Sequence, residues 1–287
     1  MRIKTNALRS VRNFFDDELK TLYSSEEIRY YFYLCCEHFL GIPKVEVVGN
    51  LDYRITESKM LKFSHAVKDL KKEKPIQYIL EICDFLDLSL HLTGDVLIPR
   101  PETEELAQKI MNENKKFSGK ILDICTGSGC IALALKNQLP HTLVQGFDNS
   151  KIIVDIAKKN AENNLLNVDF FVADIFTYET EQWFDIIVSN PPYVLHSEKS
   201  QIKKNVLNYE PHQALFVDDK NPLVFYSKIV DFAKKHLNPN GKLYLEINEK
   251  FGREVAELLK NNEFLSVKVD KDFRGKDRFV KGEKNKM

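Results

Sequence analysis

The 287-residue sequence lacks net charge, Cys-x-x-Cys pairs and long apolar runs, and each absence argues against a class of protein. Basic and acidic residues each number 42, so no overall positive field draws the chain to nucleic acid, although a local basic patch remains open. The cysteines are odd in number, and their spacing suits neither a disulfide framework nor a zinc site. We therefore expect reduced cysteines, no bound metal and a cytoplasmic location. The five are Cys35, Cys36, Cys83, Cys125 and Cys130.

Membrane attachment is also unexpected. No apolar run approaches the ~20 residues that a membrane-spanning helix requires. The first residues, Met1-Arg2-Ile3-Lys4-Thr5, lead into charged residues rather than into the apolar core of a signal peptide. The chain is accordingly predicted to have no membrane partner.

The N-terminal quarter of the chain has helical periodicity and almost no strand pattern. Apolar residues recur at helical spacing over 8–22, and Ser24-Ser25-Glu26-Glu27 is typical of a helix N-cap. The helix that follows is predicted to run from Ile28 to Leu40, because Gly41-Ile42-Pro43 ends the pattern. Another helix is predicted over Ser58–Lys71. Residues 1–74 are interpreted as a small all-helical domain.

A β-hairpin is predicted after this domain. Gln77–Cys83 and Leu86–Leu92 both show β-rich alternation around a short turn. Residues 75–98 are interpreted as a hairpin linker between the helical domain and a larger domain over 99–287.

Within 99–287 the pattern alternates between strands and helices, which is typical of an α/β fold with a parallel, doubly wound sheet. The predicted strands are Ile121–Cys125, Leu143–Phe147, Val168–Val172, Phe184–Ser189 and Lys242–Ile247, and the predicted helices lie near 102–115, 129–138, 150–163, 222–236 and 250–261. Leu265–Val269 and Arg278–Val280 follow each other without a helix between them. They are predicted to form an antiparallel pair at the sheet edge.

A glycine-rich turn connects the first of these strands to a helix. Thr126, Gly127 and Gly129 follow Asp123-Ile124-Cys125, and glycines there permit a tight turn and close approach of a ligand to the backbone. The alternative is a strand–helix turn that needs glycine for geometry alone. The turn by itself does not decide between these readings.

Two carboxylates follow the next two strands. Asp148 ends the second strand about 20 residues after the turn, where a carboxylate can accept both ribose hydroxyls of a nucleotide. Asp174 ends the third strand and can accept from the exocyclic amine of an adenine. Either could instead cap a helix.

The fourth strand ends in Asn190-Pro191-Pro192-Tyr193. Pro191 biases Asn190 away from the α region and has no N–H, so the tip is stiff and uncharged. It offers the Asn190 side-chain oxygen and the Pro191 carbonyl, which suit an NH2 group. Two prolines after a strand are also common at the start of an ordinary loop with no function, and that alternative stays open.

The order of glycine turn, Asp148, Asp174 and Asn-Pro-Pro-Tyr resembles the Rossmann-like class I S-adenosylmethionine-dependent methyltransferases. Within that class the tetrapeptide marks enzymes that methylate planar, conjugated nitrogens, and the last strand runs antiparallel. Four further motifs make the chain similar to the peptide chain release factor glutamine N5-methyltransferase family. They are Ile98-Pro-Arg-Pro-Glu-Thr-Glu104, Tyr209-Glu-Pro211, Leu245-Glu-Ile247 and Asp272-Phe-Arg-Gly-Lys-Asp-Arg278.

The resemblance implies a fold, a reaction and partners. The fold is a mostly parallel sheet with an antiparallel last strand and a small N-terminal helical domain joined by a β-hairpin. The reaction is transfer of a methyl group from S-adenosylmethionine to the side-chain amide nitrogen of the glutamine in the Gly-Gly-Gln loop of class I release factors. A monomer acting on a protein rather than directly on nucleic acid is expected.

The resemblance also implies site roles. Asn190, Pro191 and Tyr193 are expected to be catalytic: the first two accept the amide hydrogens, and Tyr193 stacks on the amide or lies near the sulfonium. Cofactor contacts are expected from Thr126, Gly127, Gly129, Asp148, Asp174 and Asn190. The tetrapeptide, including Pro192, together with Arg100 and Glu210, is expected to contact the substrate. Arg100 and its neighbours could instead cap a helix that begins near Pro101.

One departure and two alternatives remain. The family usually has glycine where this chain has Cys125, which puts the backbone shape of the turn in doubt. A methyltransferase acting on adenine or cytosine amino groups is one alternative, and a non-catalytic partner-binding module is the other. The segment from about Leu195 to Asn221 shows little regular pattern and is predicted to be a loop that orders on ligand binding.

Overall fold

The computed structural model of the chain describes residues 3–286. Met1, Arg2 and Met287, which fall within the predicted domains 1–74 and 99–287, lie outside the described residues. The chain divides into two compact units. The first extends to Glu81 and also contains Lys203–Tyr209, and the second comprises Ile82–Ile202 and the chain from Glu210 onward.

The first unit is helical, as its apolar periodicity predicts. Its helices up to Glu81 are α1 (Leu8–Leu19), α2 (Ser25–Leu40), α3 (Lys44–Gly49), α4 (Glu57–Leu70) and α5 (Ile76–Leu80). The Ser24 side chain accepts from the N–H of Glu27, and the Glu27 side chain accepts from the N–H of Ser24, which confirms the predicted cap. Phe15, Phe32 and Phe63 are fully buried and pack edge to face or tilted against one another.

The hairpin exists, but its first predicted strand is half wrong. Residues 77–80 belong to α5 rather than to a strand, because Pro75 starts a helical turn that buries Ile76 and Leu80. Glu81 ends that turn in a left-handed conformation, with φ at 56°. The hairpin proper is β1 (Ile82–Phe85) paired antiparallel with β2 (Leu88–His91).

The second unit contains the remaining strands: β3 (Lys120–Ile124), β4 (Leu143–Asp148), β5 (Asp169–Val172), β6 (Phe184–Ser189), β7 (Val194–Leu195), β8 (Phe216–Val217), β9 (Leu237–Glu246), β10 (Phe264–Lys271) and β11 (Asp277–Lys284). Seven of them form one sheet in the order β10-β11-β9-β6-β3-β4-β5. Strands β3, β4, β5, β6 and β9 are parallel, and β11 is antiparallel to both its neighbours. The predicted sheet and its antiparallel last strand are confirmed.

Helices cover both faces of this sheet. After α5 the helices are α6 (Pro101–Glu113), α7 (Cys130–Gln138), α8 (Lys151–Asn163), α9 (Lys204–Tyr209), α10 (His212–Leu215), α11 (Val224–His236) and α12 (Gly252–Asn261), of which α9 belongs to the first unit. Ile121 of β3 packs into a core with α6, α7 and α8. The next residue, Leu122, packs into a second core with α11 and α12. Successive side chains of a strand point to opposite faces, so both faces of β3 are apolar.

The order in which strands are added to the sheet changes direction between β3 and β6. Strands β4 and β5 extend to one side of β3, whereas β6 and β9 extend to the other. In sheets of this kind the crevice at the carboxyl ends of the two central strands binds ligands. The glycine turn follows β3 and Asn190 follows β6, so both lie at this crevice.

The segment after β6 is more regular than predicted. It contains β7, a 3-10 helix over His196–Gln201, α9, α10 and β8, and β7 pairs in parallel with β8. These elements have two to six residues each, and Val194 finds its strand partner at Phe216. Such short, non-local pieces leave no local periodicity to detect.

Across residues 3–286, no helix is both long enough and apolar enough to span a membrane.

Candidate active site

The glycine turn between β3 and α7 is built on three left-handed residues. Cys125, Gly127 and Gly129 have φ values of 59°, 56° and 82°. A Cβ on Gly129 would lie 2.8 Å from a ring carbon of Phe170, so this glycine is required for packing. A Cβ on Gly127 would meet nothing within 4 Å, and Gly127 lines the cleft at the crevice. The backbone of the turn is therefore open to a ligand there.

Cys125 adopts a left-handed conformation of the kind that favours glycine. The turn therefore accommodates a Cβ at a left-handed position, which answers the doubt raised by the sequence. Burial raises the pKa of the Cys125 thiol well above its ordinary value, and the nearby Asp148 and Asp123 raise it further. The thiol stays neutral, which makes it a poor nucleophile.

Asp148 connects the end of β4 to the turn. Its Oδ2 accepts from the N–H of Gly127 at 3.1 Å, and its Oδ1 accepts from the N–H of Asn149 at 2.9 Å. The N-cap of α8 is Ser150 rather than Asp148, so the carboxylate is not used as a helix cap. Burial raises the pKa of Asp148, and the backbone N–H donors oppose that rise. Each oxygen keeps acceptor capacity toward the cleft that Asp148 lines.

Thr126 and Asp174 also line the cleft. The Thr126 hydroxyl donates to Asp123 at 2.6 Å, and its N–H donates to the Phe147 carbonyl at 3.0 Å. The Asp174 Oδ1 accepts from the N–H of Phe176 at 3.0 Å. A turn rather than a helix follows Asp174, so that carboxylate closes a turn and keeps its Oδ2 at an exposed position.

A hydrogen-bonded chain connects Asn190 to the core. The Asn190 Nδ2 donates to the Thr103 Oγ1 at 3.1 Å, and the Thr103 hydroxyl donates to the Glu246 Oε2 at 2.7 Å. The Tyr193 hydroxyl donates to the other oxygen of Glu246 at 2.9 Å. Thr103 is 2% exposed and Glu246 is fully buried. Neither residue was assigned a role from the sequence, although both lie in motifs that support the resemblance.

The structure separates the four residues of Asn-Pro-Pro-Tyr. Among the described residues, Asn190 and Pro192 are part of the cleft wall, whereas Pro191 and Tyr193 are not. The Tyr193 ring packs against the core on the α11 side of the sheet, and its hydroxyl is occupied by Glu246. Burial raises the pKa of Tyr193 well above its ordinary value. The expected stacking of Tyr193 on a flat amide finds no geometric support here.

Arg100 and Glu210, both predicted to contact the substrate, contact each other. Arg100 Nη2 lies 2.7 Å and 2.8 Å from the two oxygens of Glu210. The N–H of Ile98 also donates to Glu210, at 3.3 Å. Arg100 lines the cleft, whereas Glu210 is buried beside it. Arg100 is also the residue before Pro101, the first residue of α6, but its side chain makes no capping bond.

The first turn of α6 brings the predicted motifs together. Glu102 lies 3.8 Å from Arg274, Thr103 binds Glu246, and the Glu104 Oε1 accepts from the N–H of Leu86 at 3.2 Å. The Asp272–Arg278 motif forms the turn between β10 and β11, where Asp272 accepts from main-chain N–H groups of that turn. Much of the sequence resemblance therefore reflects one packed cluster around the start of α6.

Sequence reasoning missed the apolar walls of the cleft and one buried polar residue. The missed walls include Ile153, Ile175 and Phe225. Asn160 is fully buried, and it binds the N–H and carbonyl of His91 and the carbonyl of Ser128. Only a polar residue inside the apolar face of α8 signals Asn160 in the sequence.

Of the predicted cofactor residues, Gly129 is not part of the cleft wall. Within residues 3–286, no three His, Cys, Asp or Glu side chains are grouped as a metal site.

Two protein families match parts of the chain. Residues 102–215 match the Methyltransferase small domain, and residues 11–80 match the PrmC N-terminal domain.

Curated relatives match nearly the whole chain. A release factor glutamine methyltransferase of Flavobacterium psychrophilum is 43% identical over 279 residues, which are 96% of this chain and 98% of that protein. A protein of the same name from Bacteroides thetaiotaomicron is 39% identical over 264 residues, covering 91% and 95% of the two chains. Among solved structures, a methyltransferase from Pyrococcus furiosus shares the fold, with a TM-score of 0.54 and 20% identity. That match covers 80% of this chain and 100% of the other.

Proposed function

The chain belongs to the release factor glutamine methyltransferase family, and on that premise we propose how its residues carry out the reaction. The reaction transfers a methyl group from S-adenosylmethionine to the side-chain amide nitrogen of the glutamine in the Gly-Gly-Gln motif of a class I release factor. The single observation that carries the assignment of the acceptor site is the contact of the Asn190 NH2 group with Thr103, which leaves the Asn190 oxygen for a substrate.

The cleft fits S-adenosylmethionine, which when bound supplies an electrophilic methyl group on a sulfonium sulfur. Asp148 offers carboxylate oxygens where two ribose hydroxyls need acceptors. Gly127 has no Cβ in a space that a ligand would fill. Ile153, Ile175 and Phe225 supply apolar walls for a flat base, and Asp174 offers an exposed carboxylate at its edge. We assign cofactor contacts to Thr126, Gly127, Asp148 and Asp174.

The acceptor nitrogen needs two hydrogen-bond acceptors and no strong base. The lone pair of a glutamine amide is delocalised into its carbonyl, so the nitrogen is a weak nucleophile that must be held in line with the methyl group. The Asn190 oxygen accepts one of its hydrogens and stabilises the positive charge that grows on it. The Pro191 carbonyl is proposed as the second acceptor, although Pro191 itself is not part of the cleft wall. The new N–C bond forms as the bond between the sulfonium sulfur and the methyl group breaks, which leaves S-adenosylhomocysteine. The methylated nitrogen is acidic and then releases one proton to water.

We assign Tyr193 a supporting role rather than a stacking role, since its hydroxyl holds Glu246. We assign Arg100 a role in the cleft wall, where Glu210 holds its side chain. We further propose that residues 1–74 bind a part of the release factor distant from the glutamine. The enzyme is expected to act as a cytoplasmic monomer, where its five cysteines stay reduced.

The test is a transfer assay with labelled S-adenosylmethionine and, in separate reactions, a class I release factor, duplex DNA and tRNA. Label is expected on the release factor alone, and it should be lost when the glutamine of Gly-Gly-Gln is replaced. Label on DNA or tRNA would favour the nucleic-acid alternative, and label on none of them would favour a non-catalytic module.

The variant N190A identifies the acceptor site. It should lose turnover while S-adenosylhomocysteine binding, measured by calorimetry, stays within about twofold of the wild type. N163A, at an exposed position at the end of α8, is the control and should behave as the wild type. Near-normal methylation by N190A would refute the assignment of Asn190.

A further inference from the structure

We propose that Thr103 and Glu246 are positioning residues that fix which end of the Asn190 side-chain amide faces the acceptor nitrogen. The inference rests on the proposed function, because it concerns how the glutamine amide is held. It assigns a role to two residues that lie outside the Asn-Pro-Pro-Tyr motif. Thr103 is 87 positions from Asn190 in the sequence, and Glu246 is 143 positions from Thr103.

The chain of bonds has a direction that starts at Glu246. An ionised carboxylate can only accept hydrogen bonds. Its Oε2 receives the Thr103 hydroxyl at 2.7 Å and its Oε1 receives the Tyr193 hydroxyl at 2.9 Å. Thr103 has a single hydroxyl hydrogen and donates it to Glu246.

Thr103 can therefore only accept from Asn190. The group of Asn190 that can donate is its NH2, and Nδ2 lies 3.1 Å from the Thr103 oxygen. The reversed amide would place two oxygens against each other at that distance, so it is disfavoured. Because the amide is planar, binding of Nδ2 to Thr103 directs Oδ1 away from Thr103. The oxygen is thereby presented as the acceptor that an NH2 substrate needs.

Burial and the nearby Glu102 raise the pKa of Glu246, but its hydrogen-bond donors and a positive charge oppose that rise and favour the ionised carboxylate. The Thr103 and Tyr193 hydroxyls both donate to the carboxylate. Arg278 supplies a positive charge nearby; its Nη1 donates to the carbonyl of Ile247, the residue next to Glu246, at 3.1 Å. Thr103 and Glu246 are almost inaccessible to solvent, so water cannot substitute for either partner.

The experiment compares T103S, which keeps the hydroxyl, with T103V, which keeps the size and loses it. We expect T103S to retain kcat within about threefold of the wild type. T103V should lose at least about tenfold in kcat for release factor methylation, because its Asn190 amide is free to turn. Binding of S-adenosylhomocysteine, measured by calorimetry, should stay within about twofold in both variants. E246Q, which can donate toward Thr103, should also lose kcat.

A matched control separates positioning from simple loss of a buried hydroxyl. Thr142 is 1% exposed, and its hydroxyl donates to the Leu139 carbonyl at 2.6 Å, away from the cleft. T142V should lower the melting temperature and leave kcat unchanged. If T103V is too unstable to assay, T103A replaces it, and the prediction of a kcat loss is the same.

A second readout does not depend on turnover. In the wild type, the Asn190 side-chain NH2 should show slowed hydrogen exchange by NMR, with its signal assigned by its absence in N190A. T103V should lose that protection and T103S should keep it. A wild-type enzyme that fails to methylate any release factor would refute the proposed function alone. T103V with wild-type kcat, or with the protection of Asn190 unchanged, would refute the positioning role.

Discussion

Arg100 and Glu210 lie 110 positions apart and form an ion pair in which the Arg100 Nη2 is 2.7 Å and 2.8 Å from the two carboxylate oxygens. The Glu210 side chain is 1% exposed and that of Arg100 is 30% exposed. The carboxylate is thus used within the protein, where it fixes the segment immediately before α6. Thr103 follows in the first turn of α6. The ion pair and the hydrogen bonds between Asn190, Thr103 and Glu246 therefore both depend on the position of this end of α6.

Removing Glu210 should destabilise the second unit. In E210A the partly buried Arg100 loses its counter-ion and the N–H of Ile98 loses its acceptor, at an expected cost of about 2–4 kcal/mol in the free energy of unfolding. Urea denaturation measures this cost. The double variant R100A/E210A should recover part of it, because no uncompensated charge remains. Strictly additive losses in the double-mutant cycle would show that the pair contributes nothing.

Asp148 should govern cofactor affinity. D148N keeps an oxygen for the N–H of Gly127 but replaces the second acceptor oxygen by a donor, so a ribose hydroxyl loses a charged acceptor. We expect the Kd for S-adenosylhomocysteine, measured by calorimetry, to rise at least about tenfold. D155N, which changes an exposed carboxylate paired with Lys151 on α8, is the matched control and should bind normally. Equal affinities for D148N and D155N would contradict the assigned role.

Asp123 should make stability fall as the pH rises. It is 1% exposed, and its Oδ1 has no hydrogen-bond partner among residues 3–286. Burial raises its pKa from 3.8 to about 7, so between these values the native state holds a proton that the unfolded state has released. The unfolding free energy should therefore fall with pH across this window, by at most about 1.4 kcal/mol per pH unit.

The variant D123N tests this dependence. Its amide oxygen can still accept from Thr126 and from the N–H of Ala132, and it carries no proton to lose. Urea denaturation of both proteins at a series of pH values from about 4 to about 7 should give a flatter profile for D123N. Parallel profiles would show that Asp123 is ionised throughout.

Cys125 should tolerate glycine and reject a β-branched residue. A left-handed residue with a Cβ costs roughly 1–2 kcal/mol, whereas glycine gains chain entropy on unfolding, so C125G should change stability by about 1 kcal/mol or less. C125V should destabilise more, since branching at Cβ is poorly accommodated at positive φ. Thermal denaturation ranks the variants. C125V as stable as C125G would mean that the turn can relax to another shape.

Local patterns were enough to predict most of the architecture. The strand over Phe184–Ser189 was predicted with its observed bounds, and the helix over 129–138 began within one residue of α7. The cap of α2 was predicted within the four adjacent residues Ser24-Ser25-Glu26-Glu27, and Ser24 is the capping residue. These features depend on residues close together in the chain, where apolar period and capping chemistry act directly.

Prediction was weaker where a residue's partner is distant. The turn α5 was mistaken for a strand because five residues are too few to distinguish the two periods. The short elements between Val194 and Val217 went unseen, since β7 exists only through its pairing with β8. Glu210 was expected at the substrate, but its oxygens are bound by Arg100 and Ile98.

The sequence by itself determined which chemical groups stand at the strand ends. The glycines of the turn, Asp148, Asp174 and Asn190 all follow from strand order and from the residues that end each strand. The tertiary structure alone decided how those groups are oriented. The Asn190 NH2 group donates to Thr103, and Thr103 donates to Glu246, because α6 and β9 bring these two residues next to the end of β6. Hydrogen-bond direction depends on which donors and acceptors come within about 3 Å of each other, and only the folded packing of distant segments sets that.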